Sequence, residues 1–291
     1  MREPGFFSGV VVPMISPFTP EGRVDATAAA GLVQRLIGAG VHGIFVLGTT
    51  GESASMSWQQ KRQMVEAAAS AVHAAPRRVA LYAGISGNSL RESLDAAAEW
   101  RELGADALVA HPPYYFPITD SMQEAYFAKL ADSLPLPLLL YNIPQTTHVS
   151  IPLEAVGRLS RHPNIIGIKD SQRDLPRFTR LIEQYRNENF RVLCGSISQA
   201  LQCLRLGAHG LVPSTANFAP EIYVAMYNAA NAGNWPDAEE LQTRSLEQSA
   251  RYQQGVTLGE SIAALKAIMA EQKICSAAVL PPLQTRNPSC G

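Results

Sequence analysis

The residue with the clearest chemical potential in this chain is Lys169, which ends the apolar run IIGIK (165–169). Burial disfavours a charged ammonium and so favours the neutral amine, the form that attacks a carbonyl carbon. A buried lysine that is paired with Asp170 or Glu52 would fit the same pattern. The other lysines lie in stretches of helical pattern, where we expect solvated amines: Lys61, Lys129, Lys266 and Lys273. The sequence thus singles out one amine that could form a Schiff base.

Hydroxyl and phenol side chains follow two other apolar runs. Thr49 and Thr50 come after one of them, beside Gly48, and Tyr141 lies near the end of the other. Threonine hydroxyls and backbone N–H groups can hold a carboxylate, and glycine lets the backbone approach a ligand closely. A phenol can both donate and accept a proton. The threonines could instead cap a helix and the tyrosine could fill a rim, so their meaning depends on the elements that place them.

Eight short apolar runs alternate with longer amphipathic stretches. The apolar runs cover residues 9–14, 43–48, 78–84, 106–110, 136–142, 165–169, 191–195 and 210–214. Continuous runs of this kind predict strands that are buried on both faces, as in a parallel sheet. The stretches between them predict helices over residues 25–39, 57–74, 88–103, 120–132, 152–161, 174–186, 197–206 and 217–231. We predict Asp25, Ser57 and Asn88 as the N-caps of the first three helices.

Glycine marks the junction from helix to strand three times, at Gly40, Gly104 and Gly207. Each can adopt the left-handed conformation that ends a helix. A strand–helix unit repeated in this way predicts an α/β fold, the closed (β/α)8 TIM barrel, with additional C-terminal helices. An open doubly wound sheet usually carries a GxGxxG sequence directly after an early strand, and none follows a predicted strand here. Functional residues of a barrel lie at the carboxyl ends of its strands, which would bring Lys169 and Tyr141 to one mouth.

We predict a single domain with two parts. Residues 1–233 would form the barrel, and residues 234–291 would form a C-terminal helical extension packed on it, which begins at Asn234. The chain has 291 residues. That length exceeds a typical domain, but α/β barrels of about 250 residues commonly form one. No linker or low-complexity segment separates the two parts.

Composition excludes several classes of protein. The net charge of -1 gives no basic surplus for nucleic acid or an anionic membrane. No apolar run reaches the length of about 18 residues that predicts a membrane span, and the first residues do not resemble a signal peptide. The four cysteines form no C-x-x-C pair, so we expect neither a zinc site nor a disulfide framework: Cys194, Cys203, Cys275 and Cys290. These features favour a cytoplasmic protein.

Five motifs together resemble those of the dihydrodipicolinate synthase/N-acetylneuraminate lyase family. The motifs are GTTGE (48–52), PPYY (112–115), YNIP (141–144), GIKD (167–170) and GxxGLVPSxAN (207–217). The stretch PFTPEGRVD (17–25) also matches the opening of that family. The likeness covers nearly the whole chain, and the order of the motifs on the predicted strands makes it specific. It implies a class I aldolase or lyase that forms a Schiff base with pyruvate or another short 2-keto acid.

The resemblance implies a chemical role for two of these residues. Lys169 would form the imine with the keto acid, and Tyr141 would deliver and remove protons at the imine and at the substrate hydroxyl. The protonated imine withdraws electrons, so that loss of a proton or cleavage of a carbon–carbon bond gives an enamine. The enamine would then add to an aldehyde, or would be protonated and hydrolysed to release the keto acid. The resemblance implies no metal and no organic cofactor.

It also implies a binding site around that amine. Thr49 and Thr50, in the loop that begins at Gly48, would bind the carboxylate of the keto acid, and Thr50 would also join a proton relay. The backbone carbonyl of Val212 would lie near the bound keto acid. Tyr115 would reach into the site of a neighbouring subunit, because the family resemblance suggests a tetramer built as a dimer of dimers.

Two stretches depart from the family pattern. Dihydrodipicolinate synthases carry an arginine two residues after the proline of their Tyr-Asn-x-Pro motif, and Thr146 stands there. A hydroxyl cannot replace a bidentate guanidinium, which argues against condensation with aspartate semialdehyde. After Gly195 the chain reads Ser-Ile-Ser, without the acidic residues that would hold a long polyhydroxyl chain. Gln145, His148 and Arg173 are the candidate contacts to the aldehyde, although we expect His148 to be a loop residue and Arg173 to begin a helix in solvent.

Other functions fit the same residues. The chain could be a dihydrodipicolinate synthase with a displaced arginine, or an aldolase or dehydratase of 2-keto-3-deoxy sugar acids. It could also be a non-catalytic barrel that binds a keto acid. The lysine, the tyrosine and both threonines occur together, which favours an enzyme.

Overall fold

The computed structural model describes residues 5–187 and 189–285 of the chain. Eight parallel strands close into a barrel in the order of the sequence, with β1 paired to both β2 and β8. The strands are β1 (Gly9–Pro13), β2 (Gly43–Val46), β3 (Ala80–Gly84), β4 (Ala107–Ala110), β5 (Leu138–Asn142), β6 (Ile165–Asp170), β7 (Arg191–Cys194) and β8 (Gly210–Leu211). The structure confirms all eight predicted strands and the predicted (β/α)8 barrel.

Helices lie between consecutive strands and continue after the last one. They are α1 (Ala26–Gly38), α2 (Trp58–His73), α3 (Leu90–Leu103), α4 (Asp120–Ser133), α5 (Pro144–Thr147), α6 (Leu153–Leu159), α7 (Leu175–Tyr185), α8 (Ala200–Arg205), α9 (Pro220–Asn231), α10 (Trp235–Gln253) and α11 (Leu258–Glu271). The short α5 was not predicted, because its four residues lie in the loop after β5. The glycines Gly40, Gly104 and Gly207 have φ values of 93°, 99° and 96°, in the left-handed region that was predicted for them.

The helix starts follow the local sequence, with one exception. Asp25 accepts a hydrogen bond from the N–H of Ala28, and Ser57 forms a capping box at the start of α2. The prediction of Asn88 as a cap is wrong, because Ser89 caps α3. The side chain of Asn88 instead accepts hydrogen bonds from the N–H groups of residues 114 and 115, at 2.9 and 3.0 Å. It therefore fixes the loop after β4.

Alternation along the strands separates the inside of the barrel from the outside. Val11, Phe45, Tyr82, Leu139 and Leu193 belong to one buried cluster inside the barrel. Their neighbours on the same strands pack outward against the helices in a second, larger cluster. Because side chains fill the barrel, ligands have access only at its ends, and the site is expected at the carboxyl ends of the strands.

The helices after the barrel strands pack on its outside and reach its mouth. Helix α10 packs against α8 and α9, and α11 packs against α10. The first residues of α11 lie at the carboxyl end of the barrel, where Leu258 lines a cavity. The division at residue 233 stays a prediction, and Cys290 lies outside the described residues. Within the described ranges, none of the helices combines the length and apolar character needed to cross a membrane.

Candidate active site

Lys169 lies one residue before the end of β6, between Tyr141 of β5 and Leu193 of β7. Only 3% of the lysine is exposed. Its Nζ lies 3.9 Å from the centroid of the Tyr141 ring and 5.2 Å from that of Phe45. Two aromatic rings therefore lie close to the amine at the mouth of the barrel, and little of the lysine is exposed to solvent.

Asp170, the nearest carboxylate in sequence, does not neutralise the lysine. One oxygen of Asp170 accepts from Nε of Arg177 and Nδ2 of Asn142, both at 2.8 Å. The other accepts from the N–H of Gln172 at 3.0 Å. This buried carboxylate is thus satisfied by partners on α7, β5 and its own loop. In the part of the chain that the structure describes, Lys169 forms no ion pair.

Glu52, the second carboxylate considered, is paired elsewhere as well. Its Oε1 lies 2.5 Å from Nζ of Lys266 in α11, and both side chains are completely buried. Its Oε2 accepts from the N–H of Leu280 at 2.8 Å, and Lys266 donates to the carbonyl of Ala278. The expectation of a solvated Lys266 is therefore wrong. Burial lowers the pKa of Lys266, and the charge of Glu52 opposes that shift.

The loop after β2 presents its threonines to the same space. The hydroxyls of Thr49 and Tyr141 lie 3.5 Å apart. The N–H groups of residues 51–53 bond to the carbonyls of Gly48 and Thr49. Among the described residues, the N–H groups of Thr49 and Thr50 have no acceptor. Two N–H groups and two hydroxyls are thereby available to a carboxylate.

A cavity of about 400 Å³ opens above the amine. Five of the predicted site residues line it: Thr49, Thr50, Tyr141, Lys169 and Val212. Gly195 lines it too, and a Cβ there would lie 2.0 Å from Oγ of Ser171 and 3.1 Å from Cε of Lys169. A larger residue at position 195 would push into the lysine side chain. The absence of a side chain therefore gives Lys169 its room.

Two predicted site residues lie outside this cavity. Gly48 lines a neighbouring cavity of about 270 Å³, which shares Thr49 and Tyr141 with the first one and also includes Thr146. Tyr115 lines neither cavity and is 74% exposed. Within one chain the structure does not bring Tyr115 to the amine.

Polar side chains that the sequence did not single out complete the wall. Ser214 and Gln253 line the cavity, and the hydroxyl of Tyr252 lies 2.8 Å from Oγ of Ser214. Nε2 of Gln253 donates to that phenol at 2.9 Å. This network joins α10 to the loop after β8. Nothing in the spacing of residues that are so far apart in sequence indicates such a contact.

His148 is an exposed loop residue, as expected, whereas Arg173 is exposed but does not begin a helix. Arg173 precedes α7, which begins at Leu175 after its cap Asp174, and it lines the cavity from the exposed rim. Gln145 lines the cavity as well, whereas His148 is exposed and does not. Of the three candidate contacts to the aldehyde, Arg173 and Gln145 therefore lie at the rim of the cavity.

His111 closes the neighbouring cavity without adding charge to it. Its ring centroid lies 6.3 Å from that of Tyr141. Burial lowers the pKa of His111, and a hydrogen bond with the carbonyl of Pro112 opposes the shift. The lowered pKa leaves the imidazole neutral near pH 7, so His111 adds no positive charge to the site.

Comparison with known proteins agrees with this geometry. The sequence pattern of the family described as "Dihydrodipicolinate synthetase family" matches residues 6–287. The chain belongs to this family. It is 38% identical over 240 residues to a 4-hydroxy-tetrahydrodipicolinate synthase of Phenylobacterium zucineum, an alignment that covers 82% of this chain and 79% of that one.

Two solved structures of the dihydrodipicolinate synthetase family superpose closely on the chain. The dihydrodipicolinate synthase of Bacteroides thetaiotaomicron has a TM-score of 0.91 and 33% identity, over 99% of this chain and 95% of that one. YagE, a prophage protein of the same family from E. coli in complex with pyruvate, has a TM-score of 0.90 and 30% identity, over 97% and 94%. As a member of this family, the chain is a class I, pyruvate-dependent aldolase or lyase, as its motifs predicted.

Proposed function

We propose that Lys169 is the amine that forms the Schiff base, and that the enzyme joins pyruvate to an aldehyde or reverses that reaction. The observation that carries the proposal is a buried lysine without a carboxylate partner, set in a cavity with Tyr141 and the threonine loop. Asp170 and Glu52 are held by other cations. No carboxylate among the described residues therefore competes for the amine, and the nitrogen carries a positive charge once the protonated imine has formed.

The reaction begins with the keto acid bound by the loop after β2. The N–H groups and hydroxyls of Thr49 and Thr50 hold its carboxylate, which places its ketone carbon beside Lys169. The amine nitrogen bonds to that carbon, and the oxygen leaves as water, which gives a protonated imine. The backbone carbonyl of Val212, which lines the same cavity, would lie near the bound keto acid.

Proton transfer by Tyr141 follows. The phenol can donate to the departing oxygen and accept protons later, with the hydroxyl of Thr49 3.5 Å away. A proton leaves the methyl carbon of the imine, and its electron pair forms the enamine. The enamine carbon bonds to the aldehyde carbon, and the aldehyde oxygen takes up a proton. Water then hydrolyses the imine and restores the amine.

The assembly and the location are part of the same proposal. We infer a homotetramer built as a dimer of dimers, in which Tyr115 completes the site of the neighbouring subunit. An exposed aromatic surface at Tyr114, Tyr115 and Phe116 supports a contact there, because such patches commonly mark protein interfaces. The free thiols of Cys194, Cys203 and Cys275 support a cytoplasmic location.

Trapping of the imine tests this function. Pyruvate and borohydride are added to the protein, and the modified peptide is located by mass spectrometry. We expect the mass of a reduced pyruvate imine on Lys169. The variant Lys169→Met should show no adduct, whereas Lys129→Met, which removes an exposed lysine of α4, should react as the wild type does. A wild-type chain that binds pyruvate without an adduct would instead be a keto-acid-binding barrel.

A further inference from the structure

The charges around the cavity identify the kind of aldehyde that it accepts. We propose that Arg173 binds a carboxylate on the aldehyde, and that this residue sets the specificity of the second substrate. The inference rests on the proposed function, because it concerns the compound that the enamine attacks. It adds a specificity-determining residue, a guanidinium at the rim of the cavity that favours aldehydes with a carboxylate.

One cationic side chain of the cavity is not needed to bind the keto acid or to react with it. Of the described residues that line it, only Lys169 and Arg173 are cationic side chains, and none is a carboxylate. Lys169 becomes the imine, and the loop of Thr49 and Thr50 holds the carboxylate of the keto acid. A second anion in this space would meet one guanidinium, which pairs well with carboxylates. An aldehyde with a cationic group would meet no opposite charge.

Arg173 is free to bind such an anion. No described residue forms an ion pair with it, whereas two arginines of the following helix are paired, Arg177 with Asp170 and Arg180 with Glu154. The carboxylate of its neighbour Asp174 accepts from the backbone N–H of Arg177 at 2.9 Å and caps the helix. The charge on Arg173 is thus directed to the cavity and the solvent.

The backbone of Arg173 is held in place from both sides. Its φ of 63° lies in the left-handed region, which a long side chain adopts only where its surroundings require it. Gln199 donates to the carbonyl of Arg173 at 3.2 Å. Gln145 donates to the carbonyls of Ser171 and Gln172 at 3.0 and 3.3 Å. The loops after β5 and β7 therefore fix the residue at the rim.

Other polar groups near the rim are already committed. The hydroxyl of Thr146 donates to the carbonyl of Ile143 at 3.2 Å, and Thr146 lines only the neighbouring cavity. The amide nitrogen of Gln145 is used by the carbonyls of the loop after β6. Among these candidates Arg173 alone keeps free donors in the main cavity. The volume of about 400 Å³ accommodates the keto acid together with a short partner.

A pair of aldehydes that differ in charge tests the inference. Succinic semialdehyde carries a carboxylate, and butanal has the same number of carbons without one. With pyruvate and the wild type, we expect a higher kcat/KM for the acid. Arg173→Gln should reduce that preference by about 10- to 100-fold, as the loss of a charge-assisted hydrogen bond implies, and Arg173→Lys should keep part of it. The KM for pyruvate and the borohydride adduct on Lys169 should not change.

Two controls separate misfolding and the proposed function from the inference. The variant Arg173→Gly relieves the strain of the left-handed backbone at this position, so it should fold normally. It should lose the preference for the aldehyde acid, as Arg173→Gln does. Arg180→Gln removes an exposed arginine of α7 and should keep the preference. A wild type that forms the Lys169 adduct but does not favour the acid overturns the inference, and so does a preference that survives Arg173→Gln. A wild type without an adduct refutes the proposed function instead.

Discussion

At the scale of single residues, the site depends on which charges have partners. Asp170 follows Lys169 in the sequence, Glu52 lies in the loop that carries Thr49 and Thr50, and each is bound to another cation. The amine is left against two aromatic rings, which stabilise a positive charge without supplying a negative one. These ion pairs distinguish Lys169, which has no carboxylate partner among the described residues, from Lys266, which has one.

Tyr141→Phe should separate imine formation from proton transfer. The ring that faces Lys169 remains, but the hydroxyl near Thr49 is lost. We expect the methyl hydrogens of pyruvate to exchange with deuterated water about 10²- to 10⁴-fold more slowly, as for the loss of a general acid–base group. Proton NMR measures this exchange without any aldehyde. The control Tyr227→Phe, whose hydroxyl donates to the carbonyl of His209 outside the site, should exchange normally. Equal exchange in Tyr141→Phe would exclude the phenol as the proton carrier.

At the scale of elements, strand ends and loops bring together residues from distant parts of the sequence. The ion pair of Glu52 with Lys266 joins the loop after β2 to α11. Glu52 has a φ of 57°, so the loop that presents Thr49 and Thr50 is bent at a strained residue. The buried pair holds that bend. It therefore connects a helix outside the barrel to the loop that we propose as the binding site of the carboxylate.

Removal of one partner of this ion pair should destabilise the protein strongly. We expect Lys266→Met to lower the free energy of unfolding by about 3–5 kcal/mol, because Glu52 is left buried and unpaired. The double variant Glu52→Gln with Lys266→Met should recover part of that loss. Arg180→Met breaks an exposed pair and should cost no more than about 1 kcal/mol. Urea unfolding measures the free energy of unfolding of all three variants. A Lys266→Met variant as stable as the wild type would contradict this role of the ion pair.

The sequence predicted elements better than it predicted contacts. Continuous apolar runs fixed the strands, and the order of strand ends placed Lys169, Tyr141 and the threonines around one cavity. The partner of Lys266 could not be predicted, because a helical pattern shows which residues share a face but not what that face meets. Asn88 failed as a cap for a similar reason, since a loop after another strand competes for its side chain. The place of Arg173 at the rim depends on hydrogen bonds from two other loops.

At the scale of the whole molecule, one chain leaves an aromatic surface uncovered. Tyr115 is 74% exposed and Phe116 is 70% exposed, next to Tyr114, which lines the cavity beside the site. The backbone of this surface is fixed by Asn88, so the rings are presented in a defined position. A second copy of the chain would cover these rings and receive Tyr115 at its own site.

Tyr115→Phe should lower turnover more than it lowers affinity for the keto acid. The phenyl ring would keep the packing between subunits, and only the hydroxyl of the relay would be lost. We expect slower exchange of the pyruvate methyl hydrogens at saturation, with the KM for pyruvate nearly unchanged. Sedimentation analysis should show the same assembly as the wild type. Equal turnover in the variant would count against a relay through this tyrosine.

The bond from the N–H of Leu280 to Glu52 spans 228 positions of the chain. During synthesis on the ribosome, all eight strands leave the exit tunnel before Leu280 does. The barrel can thus close while the loop after β2, which carries the threonines, still lacks the hydrogen bond from Leu280 to Glu52. A nascent polypeptide that ends before Leu280 would contain the barrel, but its loop after β2 would lack this hydrogen bond. We therefore expect activity to appear late in translation, after the barrel has formed.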